Sequence, residues 1–179
     1  MNTRKSSVLQ QDILRLLFTY PEKSFTGRAM ALAIGVSQPG ISKAVAGLIK
    51  ESFVTSSKDK ETKRLSIALN RSNNLIIGLK RADNLKKVYE SGIQNFLEEE
   101  LPGAAIILFG SFSRGDDIST SDIDIAVIGR KEKDINLEPY ENVLHRKVIL
   151  QFYTSMGAVH KELRENLCNG IVLAGGVRL

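Results

Sequence analysis

Apolar residues at Val8, Ile13, Leu16 and Leu17 recur at three- and four-residue spacing along SVLQQDILRLLFT (7–19), the period of an amphipathic helix. Tyr20-Pro21 ends it, because the residue before a proline is pushed out of helical geometry. TGRAMALAIGV (26–36) fits a second short helix, with Thr26 as its cap and Gly35 closing it. SQPGISKAVAGLIKES (37–52) fits a third, with Ser37 as N-cap and Pro39 in the first turn, where a missing N–H does no harm. Ile41, Val45, Leu48 and Ile49 share one face of it, and Gln38, Ser42 and Lys43 fall on the other. The period then shortens. FVTSSKDKETKRLSIAL (53–69) reads as two β runs, 53–56 and 64–69, around a polar tip holding Lys58, Lys60, Lys63 and Arg64.

Downstream the pattern changes again. Leu75, Leu79, Ala82, Leu85, Tyr89, Ile93, Phe96 and Leu97 predict one long connecting helix over 72–100 with a broad apolar face. Gly78 and Gly92 each weaken it by about 1 kcal/mol relative to alanine, so a break near either is expected. After Pro102-Gly103, AAIILF (104–109) reads as a buried strand and DIDIAVIG (122–129) as a second. NLEPYENVLHR (136–146) predicts a helix, KVILQFYT (147–154) a strand, SMGAVHKELRENLCNG (155–170) a helix and IVLAGG (171–176) a last strand. The expected architecture is two domains. Residues 1–71 form a mainly helical unit with a β hairpin, and residues 72–179 an α/β unit with a small mixed sheet.

Composition adds one asymmetry. The 179 residues carry a net charge of +5, but residues 1–71 hold 12 Lys/Arg against 5 Asp/Glu, whereas residues 72–179 hold 13 against 15. A basic first part facing a polyanion, joined to a second part with different work, fits this split. The 42% hydrophobic content supplies an ordinary core. No apolar run is long enough to span a bilayer, and MNTRKSSVLQQD lacks a signal-peptide apolar region. With a single cysteine, Cys168, no internal disulfide can form, so a cytoplasmic, reduced setting without membrane contact is expected.

Three helices followed by a basic hairpin, together with GVSQPGISKAVAGLIKESFV (35–54), resemble a winged helix-turn-helix domain over residues 6–70. The resemblance implies a recognition helix that enters the major groove of duplex DNA, presenting Gln38, Ser42 and Lys43. It also implies a wing that touches the backbone or the minor groove, where Lys58, Lys60, Lys63 and Arg64 would displace counterions from phosphates. A homodimer is expected, since one helix reads too few bases for a specific site. Winged helices also serve as protein-docking modules, in which case those side chains are a solvated face.

The second unit raises a sharper question at LFGSFSRGDDISTSDIDIAV (108–127). A strand ending in Gly110-Ser111 and turning into a helix offers free backbone N–H groups to an anion, ideally a phosphate. With a side-chain period of two, Asp122 and Asp124 point to one face while Ile123 and Ile125 point to the other. Two carboxylates on one face repel unless a cation sits between them, and a divalent metal such as Mg²⁺ supplies it. A calcium-binding EF-hand loop is excluded, because Ala126, Val127 and Lys133 fall where its fifth, sixth and twelfth positions would lie.

An apolar residue and Gly-Ser standing about ten residues before an Asp-apolar-Asp pair resemble the signature of the polymerase-β-like nucleotidyltransferases, most closely the small minimal ones of prokaryotes. The resemblance covers about residues 72–179. It implies that Gly110 and Ser111 hold a nucleoside triphosphate with Arg114 close by. It further implies that Asp122 and Asp124 are catalytic and ligate two Mg²⁺ ions. Such chemistry is an in-line displacement at the α-phosphorus, served by charge neutralisation and positioning.

The resemblance also expects a third acid on the KVILQFYT strand, where this chain carries Gln151. Glutamine cannot act as a base. Either another carboxylate (Glu141, or one from a partner) substitutes, or the domain binds nucleotides without turning them over. His145 and His160, on separate predicted helices, read as surface or packing residues, and Cys168 beside Asn169-Gly170 as a helix-end packing residue. The expected function is a DNA-associated nucleotidyltransferase moving NMP from NTP to a protein, toxin-like partner or small-molecule acceptor. The alternative is a transcription regulator whose inactive transferase-like domain senses nucleotide or mediates assembly.

Overall fold

The computed structural model describes residues 7–58 and 64–177, so Lys60 and Lys63 lie outside the described residues. The chain divides into two compact units, Met1–Ile77 and Gly78–Leu179.

The first unit runs α1 (Val8–Thr19), β1 (Ser24–Thr26), α2 (Gly27–Ile34), α3 (Gln38–Lys50), β2 (Val54–Lys58) and β3 (Leu65–Leu69). Ser7 caps α1 in a reciprocal capping box with Gln10, and Thr26 and Ser37 cap α2 and α3 by accepting the amides of Ala29 and Gly40. Gly35 closes α2 in the left-handed conformation (φ 77°), which turns the chain toward α3. The strands form one antiparallel sheet in the order β1-β3-β2. This is the helix-turn-helix with a two-stranded wing, pinned by a third strand too short to show in the sequence pattern. Ile13, Leu17, Met30, Ile41, Leu48 and Ile67 fill its core. On α3, Ala44 is buried and Ile49 is 38% exposed, so the buried stripe sits slightly off the predicted one.

The second unit contains most of α4 (Asn74–Ser91), then α5 (Ile93–Glu100), β4 (Ala105–Phe109), α6 (Gly110–Arg114), β5 (Ile123–Ile128), α7 (Glu138–Leu144), β6 (Val148–Tyr153), a 3₁₀ turn (Met156–Ala158), α8 (Lys161–Cys168) and β7 (Ile171–Ala174). Gly92 breaks the connecting helix with φ 77°, while Gly78 stays inside α4. The sheet order is β6-β5-β4-β7, with β5 and β6 parallel and the other pairs antiparallel, hence mixed. One face packs Ile106, Leu108, Ile123, Ile125 and Val127 against Val88, Ile93 and Leu97. The other packs Ile107, Ala126 and Ile128 against Met156, Val159 and Leu167. Every residue of β4 is buried, and each large one contributes about 1.5–3 kcal/mol.

Three expectations need correction here. On α4 the inward row is Ile76, Lys80, Asn84 and Val88, whereas Leu75, Leu79 and Tyr89 are 59%, 38% and 48% exposed. A buried lysine and asparagine displace the apolar stripe because they have charged and carbonyl partners to meet. The histidines flank helices rather than sit within them: His145 follows α7 with φ 51°, and His160 precedes α8. Cys168 ends α8 exposed, and its neighbour Leu167 is the buried residue. No single helix among the described residues is long and apolar enough to cross a membrane.

Candidate active site and nucleic-acid interface

Antiparallel pairing sets Asp124 on β5 directly opposite Phe109, the last residue of β4. The next residue, Gly110, has φ 75°, and a Cβ built there would run into Oδ2 of Asp124. The glycine thus serves two ends: it turns the chain into α6 and leaves room for the carboxylate. Gly110-Ser111 and Asp124, separate in the sequence, meet at one end of the sheet. Asp122 lies just before β5, exposed, and Asp124 is half-buried.

The electrostatics tie the remaining residues in. Burial, followed by repulsion from Asp122, pushes the Asp124 carboxyl above its ordinary value, and Arg114 pulls it back. Arg114 also holds Asp116 through Nε at 3.2 Å. The Ser111 carbonyl accepts the amides of Gly115 (2.9 Å) and Asp116 (3.3 Å), and Ser113 Oγ donates to the Gly110 carbonyl at 2.9 Å, which fixes the short helix. The hard-oxygen pair suits Mg²⁺, which takes one or two carboxylates and fills its sphere with water and phosphate oxygens. Among the described residues no group of three or more His, Cys, Asp or Glu gathers.

Gln151 sits two residue pairs along the sheet from Asp124. In the parallel β5–β6 register Gln151 stands beside Ala126, and the residue beside Asp124 is Ile149. The Gln151 amide oxygen accepts from Tyr153 OH at 2.9 Å. The residue level with Asp124 on β6 is Ile149, a register that residue spacing alone does not fix. Glu141, weighed as a substitute base, instead accepts the Val148 amide at 2.9 Å and anchors the start of β6.

A polar cluster that the sequence pattern did not reveal gathers around Asp117, on the segment that leads to Asp122. Lys80, Asn84 and Asp117 are each 1% exposed, and Lys80 pairs with Asp117, which Arg146 also meets at 3.4 Å. Burial lowers the Lys80 pKa and the Asp117 carboxylate opposes that shift. The only sequence trace is the Lys80/Asn84 spacing of four on a helix.

In the first unit, α3 and β3 flank a groove of about 560 Å³ lined by Gln38, Ser42 and Arg64, together with Arg28 from α2, over a floor including Ile41 and Val45. Arg28 is an addition to the residues read from the sequence. Gln38, Ser42 and Lys43 are exposed, and Ser42 Oγ donates back to the Gln38 carbonyl at 3.1 Å. Lys43 and Lys58 do not line the groove.

Residues 90–170 match the nucleotidyltransferase domain family. The Gly110–Asp124 site lies wholly within the matched span. Among curated proteins, the chain is 32% identical over 84 residues to a GMP reductase from Chromobacterium violaceum. That match covers 43% of this chain and 26% of the relative, about a quarter of its length. Solved structures similar to the chain include the adhesin competence repressor of Streptococcus pyogenes (21% identity, TM-score 0.40, 55% of this chain and 69% of that one). MepR, a transcription regulator of the Staphylococcus aureus multidrug efflux pump MepA, gives 18% identity and TM-score 0.41 over 52% of this chain and 68% of that one. MepR in complex with DNA gives 17% identity and TM-score 0.39 over 52% and 80%.

Proposed function

We propose that the chain is a DNA-associated nucleotidyltransferase that moves a nucleoside monophosphate from an NTP to an acceptor hydroxyl on a protein, a toxin-like partner or a small molecule. The observation that carries this reading is the packing of the Asp124 carboxylate on Gly110, with Asp122 and Arg114 acting on the same carboxyl. In this reading Gly110 and Ser111 cradle the triphosphate, and Arg114 balances its charge from the exposed side. Asp122 and Asp124 hold the divalent metal, two Mg²⁺ ions in the full reading. That metal supplies neutralisation of the phosphoryl oxygens and alignment of the in-line displacement. The half-buried Asp124 keeps one ligand out of bulk water, and exposed Asp122 leaves the site open to substrate. Incubating the chain with α-labelled NTPs and Mg²⁺ should label a product, and Asp124→Asn should abolish it. Undiminished labelling by the variant rejects the site.

The N-terminal unit is proposed to bind duplex DNA as a homodimer, through Gln38, Ser42 and Lys43 on α3 and the basic wing, Lys58, Lys60, Lys63 and Arg64. A second reading has an observation of its own in favour: β6 offers Ile149 beside Asp124, and Glu141 is committed to Val148, so neither supplies a general base. The unit then binds nucleotide without turnover, as the sensor of a transcription regulator. Saturable Mg²⁺-dependent NTP binding without label transfer, over a range of acceptors, would establish that reading.

A further inference from the structure

Asp117 lies midway along the irregular segment that leads from α6 to Asp122. Its Oδ1 accepts from Lys80 Nζ and from Asn84 Nδ2 (2.7 Å), and its Oδ2 accepts from Arg146 at 3.4 Å. Asn84 also donates to the Phe112 carbonyl in α6 at 2.9 Å. The second Arg146 nitrogen donates to the carbonyls of Ile118 and, at 3.0 Å, of Ser121, the residue before Asp122. Ile118 and Ser121 close the turn on each other, through Ser121 Oγ and the Ile118 carbonyl, both at 3.0 Å.

Sealing ionic groups in a core seldom adds net stability over apolar side chains of like volume. Here two cations and an amide converge on one carboxylate, and the other hydrogen bonds of Asn84 and Arg146 end on Phe112, Ile118 and Ser121. Those residues all lie on the stretch that joins Gly110-Ser111 to Asp122. The cluster reaches the acid pair through the backbone of this segment, because Asn84 and Arg146 hold the carbonyls of Phe112, Ile118 and Ser121.

We propose that Lys80, Asn84, Asp117 and Arg146 are positioning residues, a buried clamp that holds the 112–121 segment so that Asp122 meets Asp124 at the separation a small octahedral cation demands. This rests on the acid pair being the metal site of the proposed function. Mg²⁺ requires near-ideal geometry, whereas Ca²⁺ accepts variable coordination at longer distances. A loosened clamp therefore penalises Mg²⁺ more than Ca²⁺, while a general loss of structure weakens both alike.

The test uses Arg146→Lys, which keeps the charge but loses the planar fork, and Asn84→Ala, which removes the bridge between Phe112 and Asp117 without changing charge. Binding of Mg²⁺ and of Ca²⁺ to the full chain is titrated calorimetrically with ATP present, and hydrogen exchange is followed over residues 112–122. Both variants are expected to lose about tenfold or more in Mg²⁺ affinity. Ca²⁺ affinity should fall by less, and amide exchange in the segment should quicken. Parent-like Mg²⁺ binding in both variants overturns the clamp and leaves the proposed function standing. Proportionate loss of both metals also overturns it, since that marks a structural role only. A parent that binds neither metal removes the metal site, and the clamp with it.

Discussion

A methyl group at Gly110 has two obstacles: its φ of 75° is the left-handed region, and the space a Cβ would take belongs to the Asp124 carboxylate. Gly110→Ala should therefore cost about 1–3 kcal/mol from backbone strain alone. It should also displace Asp124, so that Mg²⁺-dependent nucleotide binding falls further than thermal stability does; calorimetry and melting curves on one preparation separate the two. Asp124 carries its own pH signature. Its carboxyl is raised above 3.8, so between that value and its folded pKa the native chain holds a proton the unfolded chain has released. In EDTA this contribution to stability is complete below the unfolded value and is lost as pH rises through the folded one. Melting temperatures of the parent, relative to Asp124→Asn, should decline across that window, and Mg²⁺ should flatten the decline by favouring the ionised form. Asp122→Asn removes the like charge, so without metal it should melt at or above the parent while losing Mg²⁺-dependent binding; a large drop in metal-free melting temperature would make Asp122 structural. Gly110 and the Asp122/Asp124 pair were each legible in the sequence because the strand end and the Asp-Ile-Asp alternation have local causes, whereas the packing of Asp124 on Gly110 follows from the β4–β5 register. Lys80 and Asn84 were not, because on a helix drawn from its apolar positions a lysine defaults to the outside, and only Asp117, 37 residues away, supplies the reason to bury it.

At the scale of elements, helix caps and strand alternation are local and were legible: Thr26, Ser37 and Gly35 sit where their chemistry puts them. Register and packing face are set by partners, which is why α4 turns the row from Ile76 to Val88 inward and why Ile149, not Gln151, stands beside Asp124. That register carries a prediction about catalysis. If the unit lacks only a third acid, Ile149→Asp should raise label transfer from α-labelled NTP, since a positioned general base contributes about 10²–10⁴-fold. Gln151→Asp, two residue pairs along and placed against Tyr153 OH, should gain less. Equal gains from the two variants, or a larger one from Gln151→Asp, would show that the β6 edge is not what limits the reaction.

Over the whole molecule the charge split assigns the basic work to residues 1–71, net +7, and leaves residues 72–179 at −2. Phosphate-binding and base-reading side chains respond differently to mutation, so the proposed DNA interface makes two separable predictions. Replacing Lys58, Lys60, Lys63 and Arg64 with glutamine in the full chain should weaken binding to all duplexes alike. The slope of log affinity against log salt should flatten by up to about one unit for each phosphate the wing no longer neutralises. Gln38, exposed at the start of α3, is the residue proposed to read base edges. Gln38→Ala should leave the salt slope in place and narrow the gap between preferred and random sequences, by about 1–3 kcal/mol for a well-formed pair of hydrogen bonds to a base. Fluorescence anisotropy over a salt series, on a selected site and on a scrambled duplex, reads both effects. Sedimentation at micromolar concentration then fixes the stoichiometry: a dimer on two half-sites one helical turn apart is expected, because a lone recognition helix reaches too few base pairs to single out a site. A salt slope untouched by the fourfold change would take the wing out of the interface, and a monomer bound as tightly to scrambled as to selected DNA would leave α3 with a solvated face and the winged helix with protein docking as its work.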